Sequence, residues 1–254
     1  MDLFERVEQL LARGDRFCLA TVIQAADASL VGRKLLVLAD GTAEGSAGGP
    51  ALDDAVRKAA VDALKANRRG IVEFPEGARV FLDVLEGEAR VVICGAGHIA
   101  LPLARFAREV GFAVTVLDDR PEFAHPARFP GCRVIAEDFV PALGRLPLGP
   151  TAYVVVITRG HEHDAECLAE VLRRPTAYVG LIGSRRRVGF VLQTLEREGV
   201  PRERLEQVFT PIGLPIGAES PAEIALSIVS ELVCVRRKGP RQARALRGAV
   251  GAGG

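Results

Sequence analysis

Two glycines near the middle of the chain have the spacing of a phosphate-binding turn. Gly95-Ala96-Gly97-His98-Ile99-Ala100 fits the pattern G-x-G-x-x-A, in which the first glycine permits a tight turn and the second lets the backbone approach a phosphate. The hexapeptide alone is a weak signal, but an apolar strand precedes it, a helical stretch follows it, and Asp118 lies 23 residues beyond Gly95. Because a helix N-terminus attracts anions, we predict a Rossmann-type nucleotide or phosphate site. It includes Gly95, Ala96, Gly97 and His98.

Two charged residues follow the next predicted strand. Asp118 stands where NAD-binding proteins bind a ribose hydroxyl, and Arg120 beside it could favour a 2′-phosphate. In the alternative interpretation, Asp118 and Asp119 only cap the turn that follows. Both interpretations stay open at this point.

All four histidines fall at the ends of predicted strands or just beyond them, at positions 98, 125, 161 and 163. In a parallel sheet these ends share one edge, where open α/β folds bind ligands. The densest polar cluster is Thr158-Arg-Gly-His161-Glu-His163-Asp164, with Cys167 nearby. Its spacing matches no standard zinc motif, so we assign no metal. We place His161, His163 and Asp164 on the ligand edge, with capping of the next helix as the alternative.

A run of arginines begins another predicted helix. In Gly183-Ser184-Arg185-Arg186-Arg187, the serine is a good N-cap, while three cations at a helix start oppose the helix dipole unless an anion compensates them. We therefore predict a second phosphate contact through Gly183, Ser184 and Arg185. Alternatively, the arginines extend into solvent or pair with Glu196 and Glu198.

Motifs for covalent catalysis are missing from the sequence. There is no nucleophile elbow with a Ser/His/Asp triad and no Walker A lysine motif. The glycine-rich loop at 45–49 offers only Ser46 as a nucleophile. We assign no catalytic residue.

A doubly wound parallel sheet would bring these residues together. From Arg90 onward, short apolar runs alternate with helical stretches, which is typical of an α/β fold with strands buried on both faces. The predicted strands are Val91–Cys94, Val114–Leu117, Arg133–Ala136, Tyr153–Ile157 and Tyr178–Ile182. We predict a Rossmann-like domain over residues 90–238 and a smaller N-terminal α+β domain over residues 1–86. Residues 239–254 are expected to form a flexible basic tail.

Composition excludes several classes of protein. Of 254 residues, 48% are hydrophobic and 26% charged, which argues against a disordered chain. No apolar run is long enough to span a membrane, and the first residues lack the apolar core of a signal peptide. The net charge of +1 gives no case for nucleic acid. Five scattered cysteines without a C-x-x-C pair indicate reduced thiols, so we expect a cytoplasmic protein.

Five motifs in order carry a resemblance to a known family. They are Ile93–Ala100, Val116–Pro121, Thr158–Asp164, Gly180–Arg187 and Pro211–Ala218. Over residues 90–238 the chain resembles the XdhC/CoxI family, the accessory proteins of xanthine and carbon monoxide dehydrogenases. The first 85 residues resemble the family's N-terminal domain less closely.

The resemblance implies a role outside ordinary catalysis. Family members bind the molybdenum cofactor, assist its terminal sulfuration and deliver it to a molybdenum hydroxylase. It therefore implies molybdopterin as bound cargo, a hydroxylase client of the xanthine or carbon monoxide dehydrogenase type, a sulfur-donor partner and a homodimer. The phosphate of molybdopterin suits the Gly95–Gly97 turn or the Arg185–Arg187 helix start. An NAD(P)-dependent oxidoreductase, with His161 as its acid, and a nucleotide-sensing regulator remain the alternatives.

One loop departs from the family's pattern. Members often carry Gly-Ser-Ile-Gly-Gly-Gly-Cys-(Leu/Val)-Glu, whereas residues 45–53 read GSAGGPALD, with Ala51 at the cysteine position and Pro50 replacing a glycine. A role that needs a thiolate there cannot be carried over, and Cys94, in a predicted buried strand, is expected to be inert. Two interpretations stay open: the protein binds cofactor without handling sulfur, or its first domain has lost its site.

Overall fold

Alternating apolar residues build an antiparallel sheet in the first part of the chain. A computed structural model describes residues 2–251 and divides the chain into two units, Met1–Gly87 and Glu88–Gly254. The sheet of the first unit has the order β3-β2-β1-β5-β4. Its elements are α1 (Leu3–Arg13), β1 (Arg16–Gln24), β2 (Lys34–Leu38), β3 (Ala43–Gly45), α2 (Pro50–Ala66), β4 (Gly70–Glu73) and β5 (Arg79–Glu86).

Each face of this sheet is packed against one helix. Buried residues of α2, Val56 and Ala60 among them, meet Cys18 and Ala20 of β1 on one face. Leu10 of α1 meets Phe17 and Leu36 on the other. The prediction of a smaller N-terminal α+β domain is confirmed. Strand β3 was not predicted, because its three residues are largely exposed and carry no apolar alternation.

The second unit contains the predicted parallel sheet. Its strand order is β10-β9-β6-β7-β8, and every neighbouring pair is parallel. The strands are β6 (Arg90–Cys94), β7 (Ala113–Asp118), β8 (Arg133–Ala136), β9 (Ala152–Val156) and β10 (Tyr178–Leu181). Since the chain runs from β6 outward in one direction and then from β9 outward in the other, the switch point of a doubly wound fold lies between β6 and β9.

Helices cover both faces of this sheet, which confirms the predicted fold class. They are α3 (Ala100–Glu109), α4 (Phe139–Arg145), α5 (His161–Val171), α6 (Arg185–Arg197), α7 (Arg202–Leu205), α8 (Pro221–Lys238) and α9 (Pro240–Gly251). One core cluster joins α3 and α8 to one face of the sheet. A second cluster joins α4, α5 and α6 to the other. Among residues 2–251, no helix is both long and apolar enough to cross a membrane.

The basic C-terminal segment differs from the expectation of a flexible tail. Residues 240–251 form helix α9, and Ala243 on it is fully buried in the core beside α8. The guanidinium of Arg244 lies 4.2 Å from the ring centroid of Phe209, and Arg247 reaches the buried carboxylate of Glu231. These contacts fix the helix on the second unit. The last three residues of the predicted tail, 252–254, lie outside the described residues.

Two glycines of the family-like motifs are explained by packing. A Cβ atom on Gly180 would lie 2.5 Å from both the Ile212 side chain and the Tyr178 hydroxyl. A Cβ atom on Gly213, whose φ is +90°, would lie 2.1 Å from the Ser227 hydroxyl. Both positions therefore serve the core rather than a ligand.

Candidate functional site

The glycine turn after β6 has the backbone that its sequence predicts. Gly95 has a φ of +113°, and a Cβ atom there would lie 2.5 Å from the carbonyl oxygen of Ile157. Its N–H donates to the carbonyl of Leu117 at 2.7 Å. The turn is therefore clamped between the ends of β7 and β9, and any side chain at position 95 would displace it.

Gly97 faces open space. No heavy atom lies within 4 Å of a Cβ atom built at Gly97, and its φ lies outside the left-handed region. Neither backbone conformation nor packing within the protein requires glycine at this position. The space beside it opens at the start of α3, which no side chain of the described residues caps, and His98 is exposed there. This arrangement fits an anion that lies against the turn.

Asp118 holds the turn from the neighbouring strand. The residue is 1% exposed, and its Oδ2 accepts the Ala96 N–H at 2.7 Å. Its Oδ1 accepts from the backbone N–H of Arg120 at 3.1 Å and from Arg120 Nε at 2.8 Å. Arg120 Nη2 donates to Oδ2 at 3.0 Å. Both oxygens are engaged within the protein, which fits the turn-capping interpretation rather than ribose binding.

Arg120 is bound to this carboxylate and to an aromatic ring. Its guanidinium carbon lies 3.8 Å from the ring centroid of Phe123. Hydrogen bonds to Asp118 raise the pKa of Arg120 above its ordinary value. Because Arg120 is committed on two sides, it adds little free positive charge to the edge.

An ion pair that sequence analysis missed crosses the end of β6. Arg159 Nη1 and Nη2 donate to Asp119 Oδ1 and Oδ2 at 2.6 and 2.7 Å. Asp119 follows β7 and Arg159 follows β9, and these strands flank β6. The hydrogen bonds from Arg159 hold the pKa of Asp119 below its ordinary value. The bidentate pair therefore ties together the two loops beside the glycine turn.

Asp164 anchors the second part of the edge. It is 0% exposed, and Thr158 Oγ1 donates to its Oδ1 at 2.6 Å. Arg187 Nε donates to its Oδ2 at 2.8 Å, and Arg187 Nη2 also donates to that oxygen. Burial raises the pKa of Asp164 despite these donors. The carboxylate joins β9, α5 and α6, so it positions the edge from within.

The arginines at the start of α6 divide into two groups. Ser184 is the predicted N-cap, since its hydroxyl accepts the Arg187 N–H at 3.3 Å. Arg187 is neutralised by Asp164. Arg185 and Arg186 are exposed, and neither forms an ion pair with any other residue that the structure describes. The predicted pairing with Glu196 and Glu198 is not found, so two cations remain available to an anion.

The four histidines have different surroundings. His161 begins α5, and its ring meets Phe190 edge-on at 5.5 Å. His163 packs against Phe139 at 5.3 Å. His125 is exposed, and its Nδ1 accepts the Ala127 N–H at 3.3 Å. Of the three, His161 lines a cavity of about 310 Å³ beside Ser184 and the α6 arginines.

The described residues offer no preformed metal centre and no exposed reactive thiol at this edge. No group of three or more His, Cys, Asp or Glu side chains among residues 2–251 could hold a metal ion. Cys94 is fully buried, as predicted, and lies beside Cys167. A hydrogen bond with Cys94, together with burial, raises the pKa of the Cys167 thiol.

The departing loop of the first unit is well ordered around Asp53. That carboxylate accepts from the Ser46 hydroxyl at 2.9 Å and from the Ala47 N–H at 2.6 Å. Ala51 is exposed and lines an apolar cavity of about 270 Å³ with Leu30 and Leu52. The loop is therefore intact although it carries no thiol.

Comparison with known proteins covers both units. The XdhC Rossmann domain matches residues 91–232, and the XdhC and CoxI family matches residues 10–75. The chain is 29% identical over 257 residues to the uncharacterized protein YqeB of Escherichia coli K12, across 94% of this chain and 47% of YqeB. It is 30% identical over 166 residues to a probable xanthine dehydrogenase subunit of Bacillus subtilis 168, across 65% and 48%.

A solved structure has the same overall architecture. A crystal structure of a xanthine dehydrogenase from Bacillus halodurans aligns with a TM-score of 0.68 and 25% identity, over 96% of this chain and 71% of that one. The chain spans about half the length of the curated relatives it matches. Its Rossmann-domain match alone covers more than half of its residues. The chain belongs to the XdhC/CoxI family.

Proposed function

We propose that the chain is an accessory protein that binds the molybdenum cofactor as cargo and assists its sulfuration and insertion into a xanthine dehydrogenase-type hydroxylase. The open space at Gly97 is the observation that carries the proposal. A glycine that the protein's own packing does not need leaves room for a ligand to approach the backbone. The family and its xanthine dehydrogenase-related members support the choice of ligand and client.

The residues at the edge fit a phosphorylated pterin. The turn at Gly95–Gly97 and the start of α3 would receive the phosphate through backbone N–H groups. Arg185 and Arg186 supply the positive charge that no carboxylate neutralises. His161 and Ser184 line the adjoining cavity and offer hydrogen bonds to the pterin edges. When bound, the cofactor would supply the molybdenum and dithiolene chemistry of the client, while these residues bind and shield it.

We propose that the sulfur for sulfuration comes from a separate donor protein. Three of the five cysteines, Cys18, Cys94 and Cys167, are fully buried. Burial raises the pKa of the Cys132 thiol, which lowers its reactive thiolate fraction. The position where relatives often carry a cysteine is Ala51. This distribution supports cofactor binding without sulfur transfer through a thiol of this chain.

The second candidate is a protein that binds NAD(P), either as an oxidoreductase or as a nucleotide sensor. The G-x-G-x-x-A turn at the switch point of the sheet favours it. The engagement of both Asp118 oxygens by Ala96 and Arg120 weighs against it, because a ribose hydroxyl would have to displace one of these hydrogen bonds.

The first experiment compares the two ligands directly. The purified protein is incubated anaerobically with molybdopterin and, separately, with NADPH, then desalted and analysed by mass spectrometry and absorbance. We expect the protein to retain the pterin. Gly97→Val should reduce retention by at least about tenfold, because the side chain would occupy the space next to the turn.

A matched variant controls for the effect of a larger side chain. Gly144 lies on α4, is exposed, and has no heavy atom closer than 3.9 Å to the place where a Cβ atom would lie. Gly144→Val should therefore retain pterin like the unmodified chain. Retention of NADP(H) without pterin would contradict the cargo proposal and favour the second candidate. Equal retention by Gly97→Val and the parent would show that the turn is not the binding site.

A further inference from the structure

A groove between helices α5 and α6 runs away from the ligand edge. Its volume is about 500 Å³. Phe190 and Val140 on its apolar surface are 57% and 40% exposed. Ala165 and Ala169 supply small side chains along α5, so a large apolar side chain can approach the helix backbone closely.

Glutamates line this groove. Glu170 is neutralised by Arg173 and Arg174, at 3.0 and 2.6 Å. Glu162 and Glu198 also line the groove, and neither forms an ion pair with another described residue. Glu166 is exposed, with only the ring of His163 at 3.4 Å as a partner. The groove thus combines an apolar floor with uncompensated negative charge, which favours an occupant that is apolar and basic.

Helix α9 presents the complementary surface. Residues 236–254 contain six Lys or Arg and no Asp or Glu. Two of these cations, Arg244 and Arg247, contact Phe209 and Glu231 within the chain. Arg241 near the start of the helix is exposed, and Leu246 is 39% exposed on the same helix.

The two surfaces lie on opposite faces of one sheet. Val191 of α6 and Cys167 of α5 belong to the core cluster on one face, whereas Ala243 of α9 belongs to the cluster on the other. A single chain therefore cannot bring its own α9 into its groove. The occupant that the charges and shapes fit is a second copy of the chain.

We propose that the α5–α6 groove of one copy receives helix α9 of another. Leu246 would lie on the alanine floor, and Arg241 would face the uncompensated glutamates, Glu166 among them. Because His161 and Phe190 line both this groove and the cavity at the ligand edge, the second copy would lie next to that edge. The inference does not rest on which ligand the edge binds.

Charge reversal tests the interface. Sedimentation velocity measures the mass of the full chain over a dilution series, in about 0.05 M and about 1 M salt, where screening lengths differ several-fold. We expect self-association at low salt that weakens at high salt. Arg241→Glu and Glu166→Arg should each weaken association by about tenfold or more, because each places like charges together.

Mixing the two variants makes the test specific. A solution of both contains a reversed helix and a reversed groove that are complementary, so association should return in the mixture. Glu109→Arg reverses an exposed glutamate on α3 and should leave association unchanged. Leu246→Asp should abolish association at either salt concentration. All variants should keep the parent's circular dichroism and Tm.

Three results would overturn the proposal. They are a monomeric parent at every concentration, single variants that associate as the parent does, and a mixture that fails to restore association. A monomeric chain whose Glu166→Arg variant loses binding to a different basic protein would assign the groove to that class of partner instead.

Discussion

At the scale of single residues, the candidate site is held together by charged groups that bind one another. Asp118 engages Ala96 and Arg120, and Asp164 engages Arg187. These carboxylates position the glycine turn and the start of α6, so they are not free to meet a ligand. Arg185 and Arg186 carry the positive charge that remains available. Recognition of an anion at this edge therefore depends on a few exposed cations and on backbone N–H groups.

The Arg159–Asp119 pair should stabilise the edge modestly and lose its contribution in acid. A double-mutant cycle with Asp119→Asn and Arg159→Gln should give a coupling free energy of about 0.5–1 kcal/mol at neutral pH, since the pair is partly exposed. The folded-state pKa of Asp119 is lowered from 3.8, so the unfolded state binds more protons in this range. The coupling should hold above about pH 4 and vanish as pH falls through the lowered pKa. Coupling that stays constant down to pH 2 would contradict an ionic bridge.

Sequence analysis predicted only the local part of these networks. Ser184 was recognised as an N-cap, and Asp118 as a turn cap in one of two interpretations, because their partners lie within a few residues. The Arg159–Asp119 contact joins residues 40 positions apart, and Asp164 and Arg187 are 23 apart. Such pairs meet only because β7 and β9 flank β6, and a single sequence does not specify that order of strands.

At the scale of elements, apolar runs predicted the strands of the second unit to within about a residue. Strands buried on both faces leave an unbroken hydrophobic signal, as in Ala152–Val156. Helix α9 had no such signal, because arginines and small residues fill its sequence. Its position is fixed by contacts with Phe209 and Glu231, which belong to other elements.

A buried hydrogen-bond network joins β10, α8 and α9. Tyr178 donates to Glu231 Oε2, which also accepts the Gly213 N–H at 3.0 Å. Arg247 Nε lies 3.5 Å from Glu231 Oε1. Glu231 is 0% exposed, so its charge depends on these three partners. Burial raises the pKa of Tyr178 well above its ordinary value, and the neighbouring carboxylate raises it further.

Tyr178→Phe should change how stability depends on alkaline pH. In the parent, the unfolded tyrosine loses its proton near pH 10 while the folded one keeps it. The folded state then holds more protons, so the free energy of unfolding falls as pH rises, by up to about 1.4 kcal/mol per pH unit. The variant should lose about 1–3 kcal/mol at pH 7, because Glu231 loses a donor, and should lack this part of the alkaline decline.

Denaturant unfolding of both proteins between pH 7 and 11 checks the prediction. The thiols of Cys18 and Cys167, whose pKa values burial raises, produce the same kind of decline in parent and variant. The difference between the two curves therefore isolates Tyr178. Parallel curves would show that the Tyr178 proton is not retained in the folded state.

At the scale of the whole molecule, the chain consists of two units with separate cores. Among the described residues, the core clusters of the first unit end before Gly87, and those of the second begin after it. Each unit has its own sheet. The groups that the proposed function uses, from Gly95 to Arg186, all belong to the second unit.

This division predicts that residues 88–254 fold alone and keep the ligand site. The fragment has a five-stranded sheet with helices packed on both faces, which is enough to bury a core of its own. It should unfold cooperatively in denaturant and retain molybdopterin within about threefold of the full chain, a difference below about 1 kcal/mol. The measurements are circular dichroism in urea and the anaerobic retention assay, with fragment 1–87 as the control that should retain none. If the larger fragment folds but loses the pterin, the first unit must contribute to binding, and the loop around Asp53 and Ala51 becomes the place to look for that contribution.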